Sequence, residues 1–235
     1  CLKILPSSSV AKYEIAGILT AGEDYNGALQ LAREAVAGNP DNMWYKILLA
    51  NILQKKAMIE EACNVYADII AKYPNKEEFY LIEAELYISV EKWQKAIEVF
   101  DRYEQQNGIT EPVSIEKIKL YTKLDDVKKA SNELLKLIRK FPDKSEYLSL
   151  LAELYFNYNQ DKKGLQILDR ILKAEPDNGF VHFYLADYYR SKKELKEADR
   201  HTKEALVSDK IENGYKIQYI LKLILNPDTT LTSDS

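Results

Sequence analysis

Cysteine, histidine, methionine and tryptophan are all scarce in this sequence, with two residues of each among 235. The two cysteines, Cys1 and Cys63, are too few to build a disulfide framework. They do not combine with the two histidines, His182 and His201, at a spacing that suits a metal ion. No apolar run is long enough for a membrane-spanning helix. The sequence therefore predicts a protein without a metal, a cofactor or a membrane span.

Glycine and proline are also scarce, with 8 and 7 residues, so the chain has little turn chemistry and is predicted to be mostly helical. The 33 basic and 37 acidic side chains give a net charge of −4, which argues against a nucleic-acid-binding surface. The sequence contains neither a glycine-rich phosphate-binding motif nor a G-x-S-x-G nucleophile motif. No nucleophile, base and orienting group can be assembled, and we predict that the chain is not an enzyme.

What the sequence does contain is a repeat of 34 residues. One small residue recurs at this step six times, at Ala28, Ala62, Ala96, Ala130, Gly164 and Ala198. A second series contains Ala16, Ala50, Ala84, Ile118, Ala152 and Ala186, and a third, large series contains Leu19, Leu53, Tyr87, Tyr121, Tyr155 and Tyr189. Proline recurs in the same phase at Pro40, Pro74, Pro142 and Pro176. A fixed period of this length is typical of a repeat architecture.

Helix packing explains these series. Two small positions in each unit let two helices cross closely, while the large residues fill the space between one helix pair and the next. One pair cannot bury its apolar face alone, so neighbouring pairs must stack. The six predicted units are 9–42, 43–76, 77–110, 111–144, 145–178 and 179–212. We expect a tether at 1–8 before them, and after them a seventh helix at 213–225 and a polar tail at 226–235.

With these small, aromatic and proline positions at 34-residue spacing, residues 9–212 resemble the tetratricopeptide repeat family. The resemblance implies an all-α fold, a right-handed α-solenoid of stacked antiparallel helix pairs. It also implies a non-catalytic scaffold that binds a protein or peptide partner in a concave groove formed by the first helix of each pair. Some family members bind acidic chaperone tails through lysine, arginine and asparagine side chains. None of these residue types occupies the matching positions here, so that function is not expected.

The resemblance also implies which residues line the groove. Carried over by position, they are Trp44, Ile47, Asn51, Glu78, Leu81, Glu85, Lys119, Glu146, Ser149, Glu153, Phe180, Phe183 and Asp187. Trp44, Phe180 and Phe183 are candidates for interface anchors, and packing against the adjacent helix is the alternative for each. The carboxylates point to a partner with basic or amide groups beside apolar anchors, and a solvated helix surface is the alternative for them.

Several alternatives stay open at the ends of the chain. Cys1 is either the lipid-bearing first residue of a bacterial envelope lipoprotein or simply the place where the chain was cut, in which case a cytosolic adaptor is expected. The apolar helix 213–225 is the first helix of a seventh repeat, a capping helix, or a helix covered by another chain, for example in a homodimer. Two functions are alternatives to the peptide-binding scaffold. The chain is a structural module that self-assembles, or it is the targeting arm of a larger protein with catalysis elsewhere.

Overall fold

The computed structural model of the protein describes residues 8–142, 144 and 146–225, and in these residues it contains thirteen α-helices and no strand. The helices are α1 Ser9–Ala21, α2 Tyr25–Gly38, α3 Met43–Lys55, α4 Ile59–Lys72, α5 Glu77–Ser89, α6 Trp93–Asn107, α7 Glu111–Lys123, α8 Val127–Lys140, α9 Glu146–Asn157, α10 Asp161–Ala174, α11 Gly179–Ser191, α12 Leu195–Val207 and α13 Asn213–Leu225. Except for Ser8, which caps α1, the predicted tether with Cys1 lies outside the described residues. So does the predicted tail at 226–235.

The chain divides into two compact units, which we call unit 1 (Cys1–Glu133) and unit 2 (Leu134–Ser235). In unit 1, α1 packs on α2, α3 on α4 and α5 on α6, and each of these pairs contacts the next helix along the chain. In unit 2, α9 packs on α10 and α11 on α12. The predicted all-α fold of consecutive packed helix pairs is therefore confirmed.

The small residues of the repeat lie where the two helices of a pair approach each other. In unit 1, Ala28, Ala62 and Ala96 are all 0% exposed. In unit 2, Ala198 is likewise 0% exposed, and Ala152 is 1% exposed. A larger side chain at these positions would hold the helix axes apart, because ridges on one helix fill the grooves of the other.

The turn between the first and second helix of every pair has the same backbone geometry, and this geometry repeats every 34 residues. Six residues, none of them glycine, adopt the left-handed conformation with φ between 55° and 63°: Glu23, Ala57, Glu91, Asp125, Asn159 and Lys193. In each turn the next N–H donates to the carbonyl of the large residue at the end of the first helix, as from Met58 to Leu53 at 2.9 Å. This is the Schellman motif, which satisfies carbonyl groups that the helix end would leave unpaired.

Because alanine is strained in the left-handed region, Ala57→Gly should stabilise the protein by about 0.5–1 kcal/mol. Chemical denaturation measures the change in the free energy of unfolding. Ala67→Gly is the matched control. Because Ala67 lies inside α4, glycine there should lower the free energy of unfolding by about 1 kcal/mol through its poorer helix propensity. Equal destabilisation by the two substitutions would contradict this account of the turns.

Candidate functional site

The first helices of unit 2 bring several predicted groove residues together in two adjoining clefts. The first, which we call the α11/α13 cleft, has a volume of about 310 Å³. Its lining includes Phe180, Phe183, Tyr184, Tyr215, Gln218 and Lys222. Three aromatic side chains remain open to solvent there, with Phe180 55%, Tyr215 48% and Tyr184 37% exposed. Exposed rings with polar groups beside them are the usual composition of a protein-binding surface.

The second cleft lies between α9 and α11 and has a volume of about 160 Å³; we call it the α9/α11 cleft. Ala152, Leu168 and Val181 are buried and form its apolar part. Its remaining lining residues are Ser149, Glu153, Phe180 and Tyr184. Since Phe180 and Tyr184 line both clefts, the two form one continuous surface across α11.

Phe183 differs from Phe180 because it packs into the protein. Its ring centroid lies 4.0 Å from that of Tyr219 on α13, and only 4% of the residue is exposed. Phe180 instead meets Tyr215 edge-on at 5.3 Å and keeps most of its surface open. Of the alternatives left open by the sequence, packing therefore describes Phe183, whereas Phe180 remains available as an anchor.

The carboxylates of the two clefts differ in whether a nearby cation pairs with their negative charge. Asp187 accepts hydrogen bonds from the Tyr219 hydroxyl at 2.8 Å and from Lys222 Nζ at 2.7 Å. Burial, followed by the hydrogen bond to Asp187, raises the pKa of Tyr219 to about 12, so this tyrosine remains a neutral donor. Glu153 is exposed and makes no hydrogen bond or ion pair within the described residues. The α9/α11 cleft therefore has a carboxylate without a cationic partner in this part of the chain.

The wall behind Tyr184 is formed by Phe156 at the end of α9. The Phe156 ring lies 5.0 Å from the Tyr184 ring and 5.2 Å from the Tyr188 ring. It also occupies the space that a side chain at Gly164 would need, because a Cβ there would lie 2.6 Å from two atoms of the ring. This contact explains why the repeat has glycine at 164 where five other units have alanine.

Gly164→Ala should therefore destabilise the protein by about 1–3 kcal/mol, since the added methyl group pushes the Phe156 ring against its aromatic neighbours. Thermal or chemical unfolding measures the loss. The control is Gly17→Ala in α1, where nothing lies within 4 Å and better helix propensity should instead stabilise the protein by about 0.5–1 kcal/mol. If both substitutions stabilised it, the contact with Phe156 would not be the reason for this glycine.

The predicted groove residues of unit 1 lie on α3, α5 and α7. Among the apolar ones, Trp44 is 63% exposed, Leu81 is 40% exposed and Ile47 is half-buried. The polar ones are all exposed, namely Asn51, Glu78, Glu85 and Lys119. In unit 2 the two further predicted residues of α9, Glu146 and Ser149, are exposed as well.

Two polar residues of this predicted set in unit 1 are held by near neighbours in the chain. Lys119 donates to Glu116 at 2.7 Å, and Glu78 lies 3.8 Å from Lys76. Asn51 accepts a long hydrogen bond of 3.4 Å from the Tyr66 hydroxyl. These contacts leave the outer surfaces of the side chains accessible to a partner.

The cysteine and the histidines, which could suggest nucleophilic or metal chemistry, are buried and have structural roles. Cys63 is fully buried, and burial raises the pKa of its thiol to about 11, which leaves it protonated and unreactive at neutral pH. His182 and His201 are buried and hydrogen-bonded to each other through their Nδ1 atoms at 2.8 Å. Among the described residues, no three histidine, cysteine or acidic side chains are placed to hold a metal ion. No described helix is long and apolar enough to cross a membrane.

Sequence reasoning missed the contribution of α13 to the site. Tyr215, Gln218 and Lys222 all line the α11/α13 cleft, whereas the sequence analysis named no binding residue on this helix, which it predicted to begin a seventh repeat, to cap the array or to be covered by another chain. One signal was available, because Tyr219 stands 34 residues after buried Leu185 and so continues the phase of the core. Gln218 likewise stands 34 residues after Tyr184, which lines the same cleft.

Comparison with known proteins gives matches to repeat proteins. A family model described as a tetratricopeptide repeat matches residues 19–86. The interferon-induced protein with tetratricopeptide repeats 2 of mouse is 27% identical over 127 residues, which is 52% of this chain and 27% of that protein. The chain thus spans little more than a quarter of the length of that curated relative.

The solved structures that match this chain have low sequence identity to it. A crystal structure of the MamA protein is 16% identical, covering 74% of this chain and 97% of its own, with a TM-score of 0.48. A tetratricopeptide repeat protein from Parabacteroides merdae is 17% identical, covering 96% of this chain and 88% of its own, with a TM-score of 0.45.

Proposed function

We propose that this chain, of which residues 19–86 match a tetratricopeptide repeat model, is a non-catalytic scaffold that binds a peptide or an extended protein segment along the first helices of its repeats. Proteins of this fold are generally scaffolds for protein–protein interaction. The observation that supports the finer proposal is the α11/α13 cleft, where Phe180 and Tyr215 hold about half of their surface open beside polar Gln218 and Lys222.

The chemistry of this cleft suits a peptide better than a small polar ligand. Aromatic rings provide large rigid contact areas with little loss of side-chain entropy, and they are enriched among residues that dominate binding energy. Lys222 and Gln218 at the cleft can bind the carbonyl groups of an extended backbone. In unit 1, Trp44 and Leu81 offer further apolar contacts on the first helices.

A random peptide library displayed on phage and selected against the immobilised full chain tests the proposal. Phe180→Ala and Tyr215→Ala should each weaken the selected peptides at least about tenfold, as truncation of an interface anchor does. Val207→Ala is the matched control, because Val207 is 72% exposed but lies on a second helix, α12, and should have no effect. Circular dichroism confirms that each variant is folded. Equal binding by all three variants would contradict the proposal.

A second candidate function is self-assembly through α13, and the exposure of this helix favours it. Among its apolar residues, Ile217 is 57%, Ile224 64% and Leu225 75% exposed. Contiguous exposed apolar residues mark interaction surfaces in soluble proteins. Sedimentation over a range of concentrations would show a dimer that Ile224→Asp dissociates and Val207→Asp leaves intact. A monomer at the highest concentration would exclude this function.

A further inference from the structure

The α9/α11 cleft combines a negative charge with two aromatic rings. Glu153 on α9 and Phe180 and Tyr184 on α11 line the same cavity of about 160 Å³. Both rings are partly open to solvent. The pKa of Tyr184 is raised to about 12, first by burial and next by the negative charge of Glu153, so this charge is felt inside the cleft. The Tyr184 hydroxyl is therefore a neutral group in the cleft.

An occupant of this cleft must match its charge. An apolar side chain would take the Glu153 carboxylate out of water without a partner, and an acidic side chain would be repelled by it. A cation meets both requirements, because it pairs with the carboxylate and is attracted to the faces of aromatic rings. The uncompensated charge of Glu153 and the adjoining rings are thus complementary to a basic side chain.

Between the two basic side chains, the geometry favours arginine. Its guanidinium is planar, stacks on aromatic rings and is more weakly hydrated than the ammonium group of lysine. Its fork of donors can bond the Glu153 carboxylate and the Ser149 hydroxyl, which both line the cleft, at the same time. A lysine would offer a single compact charge that loses more hydration on entry.

We infer that the α9/α11 cleft is an arginine subsite, in which Glu153 pairs with a guanidinium that stacks on Phe180 or Tyr184. This inference rests on the proposed function, since the arginine belongs to the bound peptide. Phe180 and Tyr184 also line the α11/α13 cleft, so the same peptide crosses α11 and occupies both clefts. Adjacent helix axes lie roughly 8–10 Å apart, a distance that about three extended residues span. The arginine is therefore expected about three residues from an apolar side chain held by Phe180 and Tyr215.

Peptides selected from the phage library provide the probe. Each selected peptide is synthesised with its arginine and with citrulline, which has the same shape without the charge. On the unaltered full chain, citrulline should weaken binding about tenfold, the usual cost of losing a hydrogen bond to a charged group. On Glu153→Gln, arginine and citrulline peptides should bind equally. Glu204→Gln is the matched control, because Glu204 is an exposed carboxylate on α12 and its loss should leave the tenfold preference intact.

The outcomes separate this inference from the function on which it rests. Peptides that depend on Phe180 and Tyr215 but contain no arginine, or that bind equally well with citrulline, would overturn the arginine subsite and leave peptide binding standing. Peptides that bind Phe180→Ala and Tyr215→Ala as tightly as the unaltered chain would overturn the proposed function itself. An arginine preference that persists in Glu153→Gln would assign the charge recognition to another residue and so overturn the inference.

Discussion

Replacing Lys117 by methionine should lower the free energy of unfolding by about 3 kcal/mol, the largest effect that we expect from a single substitution in this chain. Lys117 on α7 is 0% exposed, although lysine is almost never fully buried unless it is paired. Its ammonium lies 2.7 Å from Asp101, 2.8 Å from Glu104 and 3.1 Å from Glu133. Burial acts to lower the pKa of Lys117, but the hydrogen bonds and charges of these carboxylates outweigh it and raise the pKa above its ordinary value.

The loss in Lys117→Met arises mainly from the acidic residues that remain. Glu104 and Glu133 are themselves 11% and 5% exposed in their side chains, so without the ammonium their charges stay in a poorly solvated place. Adding Glu104→Gln and Glu133→Gln to Lys117→Met should therefore recover part of the lost stability. Lys119→Met, at a 61% exposed lysine two residues away, should change little. Urea unfolding compares the variants, and a stable Lys117→Met single variant would contradict this account.

Unit 2 should lose about 2 kcal/mol of stability as the pH falls from 6.5 towards 4, because of the buried pair His182 and His201. His182 Nε2 lies 3.0 Å from the carbonyl of Pro176, which requires a proton on that nitrogen. His182 Nδ1 must then accept from His201 Nδ1 at 2.8 Å, and His201 Nε2 accepts from Arg200 at 2.9 Å. The His201 ring is thus neutral, and an added proton on it would break the chain of hydrogen bonds.

The direction of this pH effect follows from the pKa of His201. Burial lowers this pKa to about 4. The positive charge of Arg200 and the electrostatic interaction with His182 act in the same direction, whereas Glu197 acts to raise the pKa. An unfolded histidine titrates near 6.5, so between these values the unfolded state binds a proton that the folded state does not. Stability is therefore fully present above about pH 6.5 and declines as the pH falls to about 4.

Urea unfolding at pH 7, 5.5 and 4.5 measures this decline. Between pH 7 and 5.5 carboxylates contribute little to this decline. At pH 4.5, those with a lowered pKa, such as Glu60 at about 2 through hydrogen bonds and charges from Lys92 and Lys95, begin to add to it because their unfolded forms take up protons. His201→Gln keeps a donor and an acceptor without a titrating ring, so its stability should depend less on pH. An unchanged slope in His201→Gln would assign the acid sensitivity to other groups.

The helical repeat could be predicted from the sequence because packing constrains every unit in the same way. The small residues must be small wherever two helices cross, and they therefore recur at one phase, as at Ala62 and Ala96. The left-handed turns recur as strictly as the small residues, but residues as different as Ala57 and Lys193 occupy them. Since the backbone conformation is shared and the side chain is not, no residue type in the sequence indicates this geometry.

The candidate site was less predictable because its properties depend on contacts between helices. The sequence analysis treated Phe180 and Phe183 alike, but contacts with Tyr219 on α13 and with the cluster around it bury only Phe183. Asp187 and Glu153 are both acidic residues on first helices, yet Lys222 compensates only Asp187. Partners at such distances in the chain leave no periodic signal, so the sequence could place these residues on a helix face but not assign their environment.

Hydrogen exchange of the full chain, measured by mass spectrometry with and without a peptide selected from the library, tests the central claim most directly. If the peptide binds across the two clefts, amides of α9, α11 and α13 should exchange more slowly in its presence, while those of α12 should be unaffected. Protection confined to α10 and α12, or no protection at saturating peptide, would contradict the assignment of the binding surface to the first helices.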